Sequence, residues 1–335
     1  SNLDSGCQSM GYFNISEMPN LDHLDLSHNE ILRLDHAINP RLKTLDLSFN
    51  KIGESSSWIE DESFPNRQEI LPILSNYFIL LEICNVSSNN ILNLHQPTDF
   101  LLVQSNLKNL NASNNPRLGE DRSLGLFAPK LIYLDLSKTS LKNGVVFKNA
   151  KKVKNILMRE CRLRSFSVSQ DTSPLTFAEL TNLDISSSSG EFKTLNLKYT
   201  KQSNWYADGG VGNYWNYGHA ALNLKVVDVS NCPALANLYL PSPQENYSDF
   251  TKQYLEVINI SNTSLGVNGS LNSIFDDDVF NPDFYPANHI LEVTAKNITD
   301  SSGNNCFYQI QRYNELVNRW RDSGRHIILD ADTVI

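Results

Sequence analysis

The stretch richest in side chains able to do chemistry runs from about Lys201 to Leu222, where Trp205, Tyr206, Tyr214, Trp215 and Tyr217 stand among Gly209, Gly210, Gly212 and Gly218. Flat, amphipathic rings in a glycine-rich loop can grip a protein hot spot or stack on sugar rings. The same rings can equally fold back onto the body of the protein. The glycines do not form a phosphate-cradling GxGxxG, because Trp215 takes the place of the third glycine and no strand-to-helix switch surrounds them. The seven histidines are scattered, with no HExxH, GxSxG or P-loop phrase near them. His23 and His28 form a lone pair of the kind more often solvated than metal-bound. Asp276, Asp277 and Asp278 lack the Gly and Glu spacing of an EF-hand. No Cys/Cys or Cys/His spacing suits zinc. The expectation is a non-enzyme with no catalytic residues, cofactor or metal.

Charge narrows the partners. The net charge is −9 and the pI about 5.3, whereas a nucleic-acid binder needs a dominant positive field. No apolar run approaches the roughly 18 residues of a membrane span. The charge is also uneven. Lys138, Lys142, Lys148, Lys151, Lys152, Lys154, Arg159, Arg162 and Arg164 face a single acid, Glu160, over 138–164. Such a band either holds an anionic partner or is a solvated face.

Whatever binds must be positioned by a scaffold, and the scaffold is periodic. Leu21, Leu24, Leu26, Asn29 and Ile31 read LxxLxLxxNxI, and the phrase returns at Leu42, Leu45, Leu47, Asn50 and Ile52. Further copies start at Leu81, Leu107, Leu131, Val153, Leu180, Leu224 and Leu255, with a degraded tenth at Ile290, Val293 and Ala295. One unit cannot close a core around three or four leucines. Stacked about 4.8 Å apart, the short strands make a parallel sheet over a shared apolar column. The ninth position, Asn29, Asn50, Asn89 and Asn115, can serve backbone groups where the chain leaves the sheet. Thr139, Cys161, Ser188, Cys232 and Thr263 take that place later, so the ladder is looser there.

This series resembles the leucine-rich-repeat family over roughly residues 21–300. The resemblance implies an α/β fold, a solenoid with a curved parallel sheet of about nine or ten irregular repeats, and macromolecular recognition through the concave face. Its rival, a doubly wound α/β domain, would need helix-period stretches between the strands. The expected organisation is an N-terminal cap over 1–20, a solenoid over 21–300 with insertions near 54–80, 201–222 and 271–289, and a cap over 301–335. Phe307, Ile310, Leu316, Val317 and Trp320 suggest a helix ended by Gly324, with Ile327 to Leu329 as a last strand. The irregular spacing, the DxS phrases and the lack of a GxIP phrase look most like bacterial surface or secreted repeat proteins. That implies an extracellular or cell-surface setting, the alternative being a cytoplasmic scaffold. Ser1 and Asn2 do not begin an export signal, so any such signal is expected to have been removed or never to have existed.

Five cysteines raise the question of disulfides. Cys84 fills a core position, Cys161 and Cys232 lie on the ladder with the Leu180 unit between them, and Cys7 and Cys306 are near opposite ends; no bridge is expected. Of eight N-x-S/T sequons, Asn85, Asn111 and Asn259 occupy the slot held elsewhere by Asp25, Asp46, Asp135, Asp184 and Asp228. There an Asp-to-Asn swap makes the sequon a by-product. Asn14, Asn246, Asn262, Asn268 and Asn297 are the remaining candidates for glycosylation. The Asp/Asn slot and the Ser after it are nearly invariant, with Leu157 and Arg159 as the exceptions, which reads as hydrogen bonding along the sheet or as an anionic stripe. Candidate ligand-binding residues are therefore Trp205, Tyr206, Tyr214, Trp215, Tyr217 and Arg159, for a protein or glycan partner.

Overall fold

The computed structural model describes residues 18–32, 41–53, 78–94, 102–120, 123–142, 144–148, 150–167, 179–188, 191–197, 201–203, 215–217, 223–240, 255–266, 280–300, 302–306 and 310–333. The chain divides into two compact units, Ser1–Leu163 and Arg164–Ile335. The first holds strands β1 (His23–Asp25), β2 (Thr44–Asp46), β3 (Ile83–Asn85), β4 (Leu102–Val103), β5 (Asn109–Asn111), β6 (Leu124–Phe127), β7 (Tyr133–Asp135), β8 (Val145–Lys148) and β9 (Asn155–Leu157). Strands β1, β2, β3, β5, β7 and β9 pair in that order as a parallel sheet, with Leu24, Leu45, Cys84, Leu110, Leu134 and Ile156 in register. From Leu45 to Ile156 these side chains are essentially inaccessible, and Leu24, on the edge strand, is half-buried. Each fully buried aliphatic contributes about 1.5–3 kcal/mol.

Three-residue strands follow from what ends them. In the DxS phrase the carboxylate or amide oxygen takes the N–H two residues on: Asp25 from Ser27 at 2.9 Å, Asp46 from Ser48 at 2.8 Å, Asn85 from Ser87 at 3.2 Å, Asp135 from Ser137 at 2.9 Å. The next residue turns left-handed, at φ 54° in His28 and Phe49, 56° in Ser88 and 59° in Lys138. The ninth residue then plugs into the core. The Asn89 amide donates to the carbonyls of Leu47 (2.9 Å), Val86 (3.2 Å) and Ser87 (3.1 Å), and its oxygen accepts from Ile52 N–H at 3.0 Å. Asn50 and Asn115 repeat this pattern. Thr139 donates to Leu136 O in its own repeat at 2.7 Å and lies 3.4 Å from Cys161 Sγ in the next, and the Cys161 thiol reaches Leu136 O at 3.2 Å and Arg159 O at 3.6 Å. A hydroxyl or thiol links the repeats with fewer and, for sulfur, longer and weaker bonds than an amide, which is the looser ladder expected from the sequence.

The second unit holds β10 (Ser165–Ser167), β11 (Asn182–Asp184), β12 (Thr194–Asn196), β13 (Lys201–Ser203), β14 (Trp215–Tyr217), β15 (Val226–Asp228), β16 (Asn237–Tyr239), β17 (Val257–Asn259), β18 (Ile290–Ala295) and β19 (His326–Ala331). Strands β11, β15, β17, β18 and β19 form its parallel sheet. Helix α1 (Ile310–Asp322) packs on β19: Tyr313 donates to Leu329 O at 3.0 Å, and the fully buried Trp320 donates from Nε1 to Phe280 O at 2.9 Å. The Trp320 ring lies 4.8 Å from that of Tyr285. The 280–289 part of the third expected insertion is thus part of this C-terminal packing. Gly324 ends the helix at φ 73°.

Three details differ from the sequence reading. Each unit carries a second parallel sheet, β4–β6–β8 and β10–β12–β16. Two of its strands come from Phe192-x-x-Leu195-x-Leu197 and Leu235-x-x-Leu238-x-Leu240, unassigned phrases whose six apolar side chains are all buried. In the degraded repeat Ile290 points outward and Leu291, Val293 and Ala295 point inward, because β18 is extended over six residues and its alternation starts one position later. Ile310 is exposed at the start of α1, where the apolar side begins only with Leu316. Nearly all of the 1–20 segment, most of the 54–80 insertion, Asp276 to Asp278 and Phe307 lie outside the described residues.

Candidate recognition face

The outward side of each sheet is a set of side-chain columns, and the columns differ in how much of their chemistry is already spent. The Asp/Asn column is spent internally. Besides the Ser N–H bonds above, Asn111, Asp184, Asp228 and Asn259 accept in the same way from the N–H groups of Ser113, Ser186, Ser230 and Ser261 at 2.9–3.2 Å. Asn85 also donates to Asp46 Oδ2 at 3.0 Å. Asn therefore does the Asp's work at these three sequons. A second column pairs charges along the strands: Lys43 with Asp22 at 3.1 Å, Lys108 with Glu82 at 2.8 Å, and in the second unit Lys225 with Glu256 at 2.5 Å. The hydrogen bond from each lysine holds the Asp22 and Glu82 carboxyls below their ordinary range.

The column between them is variable and open. It runs His23, Thr44, Ile83, Asn109, Tyr133 and Asn155 in the first unit, and Asn182, Val226, Val257, Glu292 and Ile328 in the second. Ile83 is 42% exposed and Ile328 53%. These residues escaped the sequence reading. The signal that marks them is variation at the one outward slot preceding the Leu-x-Leu core residue, beside slots that hardly vary.

Of the candidates named from sequence, Arg159, Trp215 and Tyr217 are among the described residues. Arg159 is exposed on the turn after β9, where its carbonyl accepts from Lys138 N–H at 2.8 Å and its N–H donates to Ser137 Oγ at 3.2 Å. Trp215 and Tyr217 sit in β14, which pairs antiparallel with β13 in the register Ser203↔Trp215 and Lys201↔Tyr217. Trp205, Tyr206 and Tyr214 lie outside the described residues. The basic band is split: Lys148 ends β8 in the second sheet of its unit, Lys138 pairs with Glu160 at 3.6 Å, and Arg164, in the other unit, pairs with Glu191 at 2.6 Å.

Among the described residues no three His, Cys, Asp or Glu side chains come close enough to hold a metal, and no helix is long and apolar enough to cross a membrane. Cys84, Cys161, Cys232 and Cys306 are free thiols. Burial pushes the Cys161 thiol up to about 11 and the Cys232 thiol up to about 12, and raises Cys84 further. Such thiols are inert packing groups, not nucleophiles.

Comparison with known proteins finds similarity to leucine-rich repeats. A family model described as Leucine Rich repeats (2 copies) matches residues 19–60. A putative leucine-rich repeat protein of Acanthamoeba polyphaga mimivirus is 37% identical over 75 residues, 22% of this chain and 18% of that protein. The match thus spans less than a fifth of that relative. Among solved structures, the functional domain of InlJ from Listeria monocytogenes, which includes a cysteine ladder, aligns at 13% identity and a TM-score of 0.22, over 84% of this chain and 67% of that one.

Proposed function

Since the chain is a leucine-rich-repeat protein, and such repeats are in general protein-interaction modules without catalysis, we propose that it is a recognition module that binds a protein partner on the outward face of its parallel sheets. The observation that carries this reading is the contrast between columns. The Asp/Asn column is consumed by bonds inside the protein, while the adjacent column exposes Ile83 beside the half-buried Tyr133 in the first unit and exposes Ile328, with half-buried Val226 and Val257, in the second, on strands held in register by the ladder. A rigid surface of exposed apolar and aromatic groups beside polar ones binds without a large ordering cost. The aromatic 201–222 insertion, with Trp205, Tyr206, Tyr214, Trp215 and Tyr217, belongs to the proposal as a second contact element, and Arg159 as a third.

The test is capture of partners from extracts of the source cell and its surroundings with outward variants Ile83→Arg and Tyr133→Arg, and Val146→Arg on the second sheet as control. The reading requires that the first two abolish capture and the control does not. Equal capture by all three would overturn it. A positive glycan array with no protein captured would replace the protein partner with a sugar. An extracellular or cell-surface setting is part of the proposal. A signal peptide encoded upstream of Ser1 supports it, and an unprocessed start gives an intracellular scaffold instead.

A further inference from the structure

The turn that leads into β3 departs from its neighbours in the first unit. Its two exposed residues are Ile79 and Leu80, where the following repeats have Ser105 and Asn106, Pro129 and Lys130, and Lys151 and Lys152. Ile79 is 56% exposed and Leu80 41%, in the same repeat as the exposed Ile83. One exposed aliphatic side chain needs no explanation. Three within five residues, two of them at positions that are polar or proline in the repeats that follow, make a patch. The turn is bonded on both sides: Leu81 N–H donates to Phe78 O at 3.0 Å above a fully buried Phe78 ring, and Asn106 Nδ2 donates to Ile79 O at 2.8 Å. It presents its apolar side chains at little ordering cost to a partner.

The rim of this patch is basic. Backbone bonds from Lys43 N to Asp22 O, Glu82 N to Lys43 O and Lys108 N to Glu82 O, each 2.8 Å, set Asp22, Lys43, Glu82 and Lys108 on successive rungs. On the turn side, Arg41 Nη1 donates to the Asn20 amide oxygen at 3.2 Å and Lys130 Nζ to the Asn106 amide oxygen at 2.7 Å. These two columns carry four cations against the carboxylates of Asp22 and Glu82, in a chain whose net charge is −9. The hydrogen bond from Lys108, followed by the charges of Lys108, Lys43 and Lys130, holds Glu82 below its ordinary range, so three ammonium groups act on one carboxylate. Apolar groups inside a rim of one sign select both halves of a ligand. A basic segment would meet like charge there, and a wholly polar one would leave the aliphatic side chains wet.

We propose that this lip docks a segment of the partner protein in which apolar residues alternate with Asp or Glu, the apolar side chains seated on Ile79 and Leu80 and the carboxylates against Lys43, Lys108 and Lys130. This rests on the reading of the chain as a protein-binding module and names the kind of sequence that it selects.

The experiment measures fluorescence anisotropy of labelled hexapeptides of alternating Glu and Leu, Gln and Leu, Lys and Leu, or Glu and Gly, against wild type, the double variant Ile79→Ser with Leu80→Asn, and Lys130→Glu. Ser and Asn are native to this turn one repeat later, and Asn106 holds it through the backbone oxygen of Ile79, so the double variant folds, and a thermal melt checks that it does. The expected result is that wild type binds the Glu/Leu peptide at least fivefold tighter than each of the other three, and less tightly in 1 M salt. The double variant and Lys130→Glu should each lose fivefold or more. Equal binding of the Glu/Leu and Gln/Leu peptides, affinity unchanged within twofold in the double variant, or no binding of the Glu/Leu peptide by wild type would each overturn the proposal. So would a wild-type dimer in sedimentation velocity that the double variant dissolves, since a second copy would then be the occupant. Partner capture run in parallel separates the two readings: capture that depends on Ile83 and Tyr133 but survives the double substitution sinks the lip and leaves the binding face standing.

Discussion

Replacing Asn89 with Leu keeps the branched shape of the side chain and removes all four of its buried hydrogen bonds. The consequence can be worked through bond by bond. Leu47 O and Val86 O keep a partner each, because Asn50 Nδ2 also donates to Leu47 O at 3.0 Å and Asn115 Nδ2 to Val86 O at 3.0 Å. Ile52 N–H loses its acceptor inside the core, which costs about 1–3 kcal/mol. The three lost donations add on the order of 0.5–1 kcal/mol each once their net exchange with water is counted. The expected loss is about 3–5 kcal/mol. Asn89→Thr, the choice made at position 139, should cost roughly 2 kcal/mol, since a hydroxyl can still reach the carbonyl of its own repeat. Asn29→Leu serves as the reference. Among the described residues the Asn29 amide donates to Leu26 O and Ser27 O, on the half-buried edge repeat, so its loss should cost about 1 kcal/mol. Urea denaturation followed by circular dichroism gives the differences, with coincidence of a second probe checking two-state behaviour. Hydrogen exchange at Ile52 reports the orphaned amide directly. If Asn89→Leu costs less than about 1 kcal/mol, or no more than Asn29→Leu, the ladder does not hold the repeats together as argued.

Gly53→Ala tests the turn of the second repeat. At φ 88° a new Cβ would stand 2.3 Å from Asn90 O, a backbone atom that cannot yield, so a loss of more than about 2 kcal/mol is expected by thermal melting. In native protein a thiol reagent should leave Cys84, Cys161 and Cys232 unlabelled and react with them only after unfolding, as read by mass spectrometry of each peptide. Rapid labelling of Cys232 in the folded state would contradict its packing. Glu82 has a folded pKa below its unfolded one, so its pairing with Lys108 stabilises above about pH 4 and is lost as pH falls through the lower folded value. The melting-temperature gap between wild type and Glu82→Gln should therefore be flat from pH 8 to 6, close toward pH 3 and narrow in 1 M salt. A gap that widened in acid would reverse the assignment.

The sequence exposes the core more plainly than the surface because the two are written differently. Leu24, Leu45, Leu110, Leu134 and Leu183 recur at a fixed offset that stacking demands, and the structure puts each on the parallel ladder. The Leu195 and Leu238 strands obey the same spacing, with Thr200 at the ninth position of the first phrase and Pro243 at that of the second, so the spacing alone does not tell that they build the second sheet instead. Ile290 misleads because a one-residue shift in an extended strand exchanges its faces. The binding surface is harder to read. Ile83 and Tyr133 are distinguished only by standing in a variable slot. The aromatic insertion is conspicuous by composition, yet composition does not say where its rings point.

Hydroxyl-radical footprinting of the protein alone and in complex with its captured partner tests the account most directly. The account predicts that Ile83 and Tyr133 become protected in the complex while Val146 on the second sheet keeps its reactivity. Protection of Val146 with undiminished oxidation of Ile83 and Tyr133 would contradict it.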